Sequence, residues 1–296
     1  MERADSVTEF ALFETNVKIC MIGGTLLSSV PLFMYNNVRR SLDMFNDWLT
    51  IGGLTIHGYG VMIAVGILTA VWLAEKQTTK YGLDSTKVDG LAITAVVVGY
   101  IFSKLTYILT VIPEFIKDPL SVLGSSGWVV YGGILGGLLG AYLYCKKQKM
   151  DFFAYFNVIM PCVPLAQAFG RIGCFFAGCC YGKPTNGAWG ITFPQGSLCP
   201  IHEPLIPTQL ISSLGDFIIF MLLMKICSDE KTRNTTGAWY LILYSLGRFG
   251  IEFLRGDVER GNVGIFSTSQ FIALFTCFAG IILYVYAKKK KENKTI

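Results

Sequence analysis

The sequence predicts an all-α fold, a polytopic membrane helical bundle with about seven transmembrane helices. Hydrophobic residues make up 52% of the 296 positions and charged residues only 15%, whereas soluble domains carry about 25% charged residues. Apolar stretches close to the roughly 20 residues that cross a bilayer recur along the chain. The predicted spans are 58–74, 88–112, 128–145, 152–170, 206–227, 237–254 and 268–287.

Composition divides the chain into three parts. Residues 1–57 form an N-terminal extension, 58–287 the seven-helix transmembrane domain and 288–296 a basic tail. The apolar stretch 20–35 is short and contains Pro31, so an eighth helix, an interfacial segment and an uncleaved signal-like stretch all remain open. A cleaved signal peptide is not expected, because the preceding residues are acidic where a signal peptide would be basic.

Lysine and arginine residues predict the orientation of the bundle. They follow the first, third, fifth and last spans, whereas only Lys117 follows the second. Because positive residues mark cytoplasmic loops, the odd-numbered connections and the C-terminus are predicted to be cytoplasmic. The net charge of +5 does not indicate nucleic-acid binding, because five of the lysines lie in the tail directly after an apolar stretch.

The third span is rich in glycine at helical spacing. Gly132 and Gly136 lie four residues apart, as do Gly133 and Gly137. Small residues at this spacing allow the backbone of another helix to approach closely. We therefore predict that most of these glycines form a packing face.

The sixth span carries polar residues on one helical face. Tyr244, Arg248 and Glu252 recur every four residues, and Arg255 follows. Charged residues inside a membrane span usually face a cavity and have a function. A structural ion pair between Arg248 and Glu252 is the alternative interpretation.

A second polar cluster runs from Gln167 to Pro184. It combines several glycines with two cations, Arg171 and Lys183. Backbone amides of a glycine-rich loop together with a guanidinium are suited to holding a phosphate group. We predict that this cluster begins at the outer end of the fourth span and continues as a glycine-rich loop.

Other spans contribute isolated polar residues. They include His57, Tyr59, Lys104, Gln209 and Asp216. Tyr59 by itself is typical of the aromatic belt at a membrane interface. Lys104 is expected to extend toward the interface or to pair with a carboxylate, and the pattern assigns no role to Asp216.

The cysteines do not predict a metal site by their spacing. Cys174, Cys179, Cys180 and Cys199 form a local group with His202 nearby, but no C-x-x-C pair is present. A disulfide between Cys199 and either Cys179 or Cys180 is favoured over zinc. Plain buried thiols are the remaining interpretation.

From about Thr55 to the C-terminus, the chain resembles bacterial prolipoprotein diacylglyceryl transferases. The residues that carry this resemblance are the G-R-I-G-x-F-x-x-G motif at 170–178 with Gly182, Tyr59-Gly60, Gly132-Gly133, Pro207-Thr-Gln209-Leu and the Tyr244/Arg248/Glu252 face. They follow the order and spacing of that family.

The resemblance implies the transfer of diacylglyceryl from phosphatidylglycerol to the lipobox cysteine in the signal-peptide region of a prolipoprotein. The products would be a thioether and glycerol phosphate, in a multi-pass enzyme of the bacterial cytoplasmic (inner) membrane. No cofactor or metal is expected, because the membrane phospholipid is itself the activated donor. The implied catalytic residues are Tyr59, Tyr131, Arg171, Tyr244, Arg248 and Glu252, and the implied substrate-binding residues are Arg171, Gly173, Cys174, Gly182, Gln209, Arg248 and Arg255.

The chain departs from the family pattern where thiol activation would be expected. Tyr131 stands in place of the histidine before the Gly-Gly pair, Cys174 in place of an asparagine and Cys179 in place of an acidic residue. Ile206 and Ser212 replace a further histidine and glutamate. Because a tyrosine titrates near 10, Tyr131 is a poor base at neutral pH.

Three alternative functions follow from these departures. The first is a related transferase with a different acceptor, and the second is a lipid-binding or lipid-moving membrane protein without catalysis. The third is a thiol-redox enzyme that uses Cys179 and Cys180, which ranks last because adjacent cysteines form a strained disulfide.

Overall fold

The computed structural model describes residues 46–51, 54–125, 127–194, 197–201, 203–257 and 262–295. The apolar stretch 20–35 and His202 therefore lie outside the described residues. The helices are α1 (Gly58–Lys80), α2 (Val88–Thr110), α3 (Ile112–Lys117), α4 (Pro119–Gly124), α5 (Val130–Lys147), α6 (Phe152–Ile159), α7 (Cys162–Ala177), α8 (Thr208–Ser228), α9 (Thr236–Ile251) and α10 (Thr268–Thr295). The strands are β1 (Asp47–Ile51), β2 (Leu54–His57), β3 (Asn262–Val263) and β4 (Phe266–Ser267).

The described part of the chain is mostly helical, and its apolar helices are those of a multi-pass membrane protein. Four helical segments are long and apolar enough to cross a bilayer alone, and they contain α1, α2, α8 and α10. The bent pair α6 and α7 makes a fifth if it counts as one span. Among the described residues, α5 and α9 fall outside this set, because α9 has only 16 residues and α5 combines five glycines with two lysines.

The small strands add two hairpins to the predicted all-α fold. Strand β1 pairs with β2, and β3 pairs with β4, both antiparallel. His57 Nδ1 lies 2.6 Å from Asp47 Oδ1 across the first hairpin. This hairpin lies beside α7, because the rings of Trp48 and Phe176 meet edge to face with their centroids 5.1 Å apart.

Five helices pack in series and form the body of the molecule. Helix α1 packs on α7, α7 on α8, α8 on α9 and α9 on α10. The gap bounded by α7, α8 and α9 contains the cavity described below.

Helices α2 and α5 form a separate close pair, and the predicted glycine packing face is confirmed. A Cβ atom added at Gly99 would lie 2.9 Å from the carbonyl oxygen of Gly133. One added at Gly136 would lie 3.0 Å from the carbonyl oxygen of Val98. The backbones approach so closely that only glycine fits, as small residues permit in membrane helix pairs.

Lys104 on α2 finds partners that the sequence did not indicate. Its Nζ donates to the backbone carbonyl of Ser125 at 2.8 Å and lies 4.8 Å from the Trp128 ring centroid. Within the described ranges no carboxylate pairs with Lys104, because loop atoms beside α2 take its hydrogen bonds. Its extension toward the interface stays a prediction.

The fourth predicted span is two helices and not one. Helices α6 and α7 meet at an angle of 45° at residues 160–161, just before the first turn of α7. Pro161 lies at this break, where its missing N–H interrupts the helical hydrogen bonds. Helix α7 then continues to Ala177, so Arg171 and Cys174 are helical. The predicted end of the span at residue 170 is therefore wrong, and the loop begins after Ala177.

The lysine-rich ends of the helices meet at one end of the molecule. The guanidinium of Arg233 lies 4.0 Å from the Tyr81 ring centroid, and Lys290 Nζ lies 5.5 Å from the Phe153 ring centroid. The end of α7, the end of α9 and the start of α10 lie at the opposite end.

Candidate functional site

A cavity of about 310 Å³ opens between α7, α8 and α9. Its polar lining comes from Arg171 on α7, Asp216 on α8, and Tyr244 and Arg248 on α9. Ser212 and the three glycines Gly215, Gly247 and Gly250 occupy little of the lining, which leaves room for a ligand, and the other lining residues are apolar. The structure thus brings together two guanidinium groups that lie 77 positions apart in the sequence.

Arg248 is held in place by its neighbours. Its Nη1 lies 2.9 Å from Glu252 Oε2, and its Nη2 donates to Ser269 Oγ on α10 at 2.9 Å. Glu252 begins the short 3-10 turn after α9. It is the more buried partner of this ion pair, with 7% of its side chain exposed. Arg248 therefore forms the predicted ion pair and also lines the cavity.

Arg171 has different surroundings. Within the ranges that the structure describes, no side chain or carbonyl forms a hydrogen bond or salt bridge with its guanidinium. Its electrostatic neighbours are Tyr244, Cys174, Cys180 and Asp216. A partly buried guanidinium that lines a cavity is suited to pairing with an anionic group.

Asp216 is the cavity residue that the sequence left without a role. It is 6% exposed and lies on the same lining as both arginines. The signal was present in the sequence, because a carboxylate in the middle of an apolar span marks a functional position by default. Its position could not be inferred, since it depends on how α8 turns toward α7 and α9.

Tyr244 is oriented by a second aromatic ring one turn earlier on α9. Its ring stacks on Tyr240 with centroids 5.6 Å apart and an interplanar angle of 23°. The Tyr240 hydroxyl in turn donates to Gln167 Oε1 on α7 at 3.2 Å. This chain of contacts ties α9 to α7 directly beside the cavity.

Backbone hydrogen bonds join the loop after α7 to two other segments of the chain. The Gly182 N–H donates to the Ile206 carbonyl at 2.9 Å, and the Lys183 N–H donates to the Leu254 carbonyl at 2.9 Å. A Cβ atom at Gly182 would lie 2.6 Å from the Ile206 carbonyl oxygen and 2.9 Å from that of Leu254. Glycine is required at residue 182 because three backbone segments meet there.

Gln209 supports this loop from α8. It is 1% exposed, and its Nε2 donates to the Cys179 carbonyl at 2.8 Å. The neighbouring Thr208 hydroxyl donates to the Cys180 carbonyl at 2.7 Å. In the structure Gln209 contacts the loop and does not line the cavity, so a substrate contact remains a prediction.

Arg255 lies at the loop and is not part of the cavity lining. Its Nε and Nη2 donate to the two carboxylate oxygens of Asp257 at 3.0 and 2.7 Å. Its backbone also pairs with Gly182. The second guanidinium at the cavity is therefore Arg248, and Arg255 holds the loop next to it.

The two remaining tyrosines of the predicted set lie elsewhere. Tyr59 at the start of α1 packs against α7, where a Cβ atom at Gly173 would lie 3.1 Å from the Tyr59 carbonyl oxygen. Tyr59 also neighbours Cys174 on α7 and Cys179 and Cys180 in the loop that follows. Tyr131 at the start of α5 is 40% exposed and is not among the residues lining the cavity.

Three cysteines converge beside Arg171, which their spacing did not predict. The Sγ atoms of Cys174, Cys179 and Cys180 all lie within 4.8 Å of one another. Helix α7 ends at Ala177, and the next residue, Gly178, has the left-handed conformation with φ +72°, which turns the chain back toward Cys174. Cys180 also has a positive φ of +63°, a conformation that is uncommon for residues other than glycine.

The predicted disulfide to Cys199 is wrong in this structure. All eight cysteines within the described residues are free thiols. Cys199 lies in an apolar cluster with Tyr181, Phe193 and Leu205, and burial raises the pKa of its thiol. Hydrogen bonds from the thiols of Cys174 and Cys179, together with the Arg255 guanidinium, lower the pKa of Cys180.

Comparisons with known proteins cover α1 to α9 and most of α10. A family model described as Prolipoprotein diacylglyceryl transferase matches residues 46–286. The chain is 43% identical over 242 residues to the phosphatidylglycerol–prolipoprotein diacylglyceryl transferase of Clostridium tetani, covering 81% of this chain and 96% of that relative.

Two further relatives carry the same name in other species. The chain is 42% identical to the phosphatidylglycerol–prolipoprotein diacylglyceryl transferase 2 of Clostridium perfringens, over 83% of this chain and 96% of that relative. It is 32% identical to the corresponding protein of Clostridioides difficile, over 82% of this chain and 96% of that relative.

Proposed function

The chain belongs to the Prolipoprotein diacylglyceryl transferase family, and from this premise we propose how its cavity carries out diacylglyceryl transfer. The donor is phosphatidylglycerol and the acceptor is a prolipoprotein, as the names of the relatives state for those proteins. The acceptor atom is the thiol of the lipobox cysteine in the signal-peptide region. The products are a thioether and glycerol phosphate.

The convergence of Arg171 and Arg248 on one cavity carries this proposal. Phosphatidylglycerol has one negatively charged phosphodiester, and the breaking of its carbon–oxygen bond adds negative charge to the leaving glycerol phosphate. Cations that are already oriented toward this developing charge stabilise the transition state more than the ground state.

The two arginines divide this work. Arg248 is fixed by Glu252 and Ser269, so it presents its charge in one orientation. Arg171 has no hydrogen-bond partner in the described part of the chain, so its N–H groups are available to donate to the phosphodiester oxygens. A guanidinium suits this role because its planar fork of donors matches two phosphate oxygens.

Tyr244 and Asp216 complete the polar lining. The Tyr244 hydroxyl donates a hydrogen bond to the headgroup from the side of α9. The Asp216 carboxylate offsets part of the positive charge of the two arginines, so the cavity remains selective for a singly charged lipid over a more highly charged one.

We further propose that all seven predicted spans cross or enter the membrane. This includes α5 and α9, which are short or rich in glycine, and the bent pair α6 and α7 as one broken span. Broken helices at membrane depth are tolerated where they line a cavity. The clustering of the lysine-rich ends supports a cytoplasmic C-terminus in the bacterial inner membrane, with the cavity toward the outer leaflet.

The test is an assay of the purified full chain with phosphatidylglycerol labelled in the diacylglyceryl group. The acceptors are a lipobox peptide and the same peptide with serine in place of its cysteine. Transfer of label to the cysteine peptide alone is the expected result. Label on neither peptide, with phosphatidylglycerol still bound, would overturn the proposal in favour of lipid binding without transfer.

A further inference from the structure

The three-thiol cluster at the end of α7 lies outside the roles assigned so far. Cys174, Cys179 and Cys180 come within 4.8 Å of one another at their sulfur atoms. All three are partly buried; Cys174 lies on α7, and Cys179 and Cys180 belong to the loop that Gln209 supports. Arg171 neighbours Cys174 and Cys180. Two residues with a positive φ, Gly178 and Cys180, turn the chain into this arrangement.

This geometry is close to that of a zinc site. Zinc binds thiolates at about 2.3 Å in a tetrahedral array, which places neighbouring sulfurs about 3.8 Å apart. The sulfurs here need to close by at most about 1 Å, which side-chain rotation supplies. The local spacing C-x4-C-C differs from the paired motifs of structural zinc sites, and for this reason sequence spacing did not reveal it.

We propose that Cys174, Cys179 and Cys180 bind one Zn²⁺ ion, whose fourth position takes the acceptor thiol. The binding of the acceptor thiol, the second half of this proposal, rests on the proposed function. The binding of zinc, the first half, does not. It replaces the prediction that the enzyme needs no metal. Three protein ligands with one open position are the arrangement of catalytic zinc sites, whereas structural sites are closed by four.

The surrounding charges suit such a complex. Zn²⁺ with three thiolates carries a net charge of −1. Arg255 and Arg171 are both electrostatic neighbours of Cys180, and Arg171 is also one of Cys174. These two cations compensate the charge of the complex and keep it close to the phosphate-binding cavity.

The proposal also explains how the acceptor thiol is activated in this chain. A thiolate is the nucleophile, and a metal deprotonates a coordinating thiol. The two histidines of the sequence are His57 and His202. His57 lies in the β1–β2 hairpin beside Asp47, and Tyr131 replaces the histidine expected before the Gly-Gly pair. Zinc bound by the three cysteines would deprotonate the acceptor thiol, so no histidine base is needed.

The step balances without any redox change. The acceptor thiol binds zinc as its thiolate and releases its proton to water. Its sulfur attacks the diacylglyceryl carbon that carries the phosphate oxygen, so a carbon–sulfur bond forms as the carbon–oxygen bond breaks. The electron pair of that bond leaves with glycerol phosphate, and the neutral thioether, a weaker ligand, leaves the metal.

Metal analysis tests the first half. The full chain is purified in detergent, incubated with Zn²⁺, desalted and measured by mass spectrometry for metals. We expect about one zinc per chain in the wild type and in the control Cys277→Ser, which changes a partly buried thiol on α10. Cys179→Ser and Cys180→Ser should each lower zinc at least tenfold.

Two measurements keep this test independent of the folding of the variants. Wild-type protein loaded with Co²⁺ should show a thiolate-to-cobalt charge-transfer band, and only variants that elute as single species on size exclusion are scored. Zinc far below one per chain in the wild type, or zinc unchanged by Cys179→Ser, would overturn the metal site. Stoichiometric copper in place of zinc would do the same.

Transfer activity tests the second half. Chelation of wild-type protein should lower transfer to the lipobox peptide at least tenfold and leave phosphatidylglycerol binding unchanged, and added Zn²⁺ should restore the rate. Full activity after complete removal of zinc would overturn thiol activation. If zinc-loaded protein binds one zinc and transfers no lipid, the proposed function fails while the metal site stands.

Discussion

Arg171 and Arg248 enter the same cavity with unequal surroundings. Arg248 is paired with Glu252 and bonded to Ser269, so its removal disturbs the protein as well as the site. Arg171 has no such partner in the described ranges, so its removal should affect ligand chemistry almost alone. The two arginines therefore predict different phenotypes at the scale of single residues.

Arg171→Ala should lower the rate of transfer by about 10²- to 10³-fold, the usual effect of losing one donor to a developing negative charge. Its melting temperature should stay close to that of the wild type. The measurement is kcat with the lipobox peptide, together with thermal unfolding. The matched control is Lys183→Ala, which removes an exposed cation from the same sequence motif; an equal loss in both variants would contradict the role of the cavity.

Arg248→Ala should abolish transfer and also destabilise the protein by about 1.5–3 kcal/mol, because charge-assisted hydrogen bonds are lost. The double variant Arg248→Ala/Glu252→Gln should recover part of the stability and none of the activity. Unfolding in mixed micelles and the transfer assay separate the two effects. Activity returning with stability would mean that Arg248 is only structural.

Several elements depend on glycines that allow close backbone contact. Gly182 lies where the loop after α7 meets the segments at Ile206 and Leu254. Gly170 belongs to the same sequence motif, but nothing lies within 4 Å of a Cβ atom added there. The sequence shows both as parts of one motif, and only the structure distinguishes them.

Gly182→Ala should therefore strongly reduce transfer, because the new Cβ atom would separate the loop from carbonyls at 2.6 and 2.9 Å. Gly170→Ala should retain most of the activity. Both variants are compared by kcat and by limited proteolysis of the loop. A Gly170→Ala variant as impaired as Gly182→Ala would show that the motif acts through some contact other than these.

Helices α2 and α5 provide the second test at this scale. Gly99→Ala should destabilise the protein by about 1–3 kcal/mol, the typical cost of overpacking, because the carbonyl oxygen of Gly133 lies 2.9 Å from the new atom and is part of a helix. Gly124→Ala, where nothing lies within 4 Å, is the control. Thermal unfolding of both variants in the same detergent measures the difference; equal melting temperatures would contradict the close packing.

At the scale of the whole molecule, charge separates the two ends. The lysine-bearing ends of α1, α5, α8 and α10 lie together, and the cavity and the cysteine cluster lie toward the other end. Under the proposed function, this separation would bring the lipid headgroup, the acceptor thiol and the proposed metal to one membrane face. It also makes the orientation of the protein directly testable.

A protease-sensitive tag fused after residue 296 should be protected in intact spheroplasts and cleaved in inverted membrane vesicles. The physical reason is that lysine-rich segments stay on the cytoplasmic side during insertion. A thiol probe that does not cross membranes should label Cys179 or Cys180 in intact spheroplasts and not in inverted vesicles. Cleavage of the tag in intact spheroplasts would reverse the proposed orientation.

The sequence by itself determined the membrane fold class, the approximate helix positions, the glycine packing face and the residue types of the site. These properties depend on local hydropathy and helical periodicity, which neighbouring residues set. The tertiary structure decided which of those residues meet. It joined Arg248 and not Arg255 to Arg171, placed Asp216 with them, and kept Cys199 apart from the three other cysteines, because each depends on the packing of helices distant in sequence.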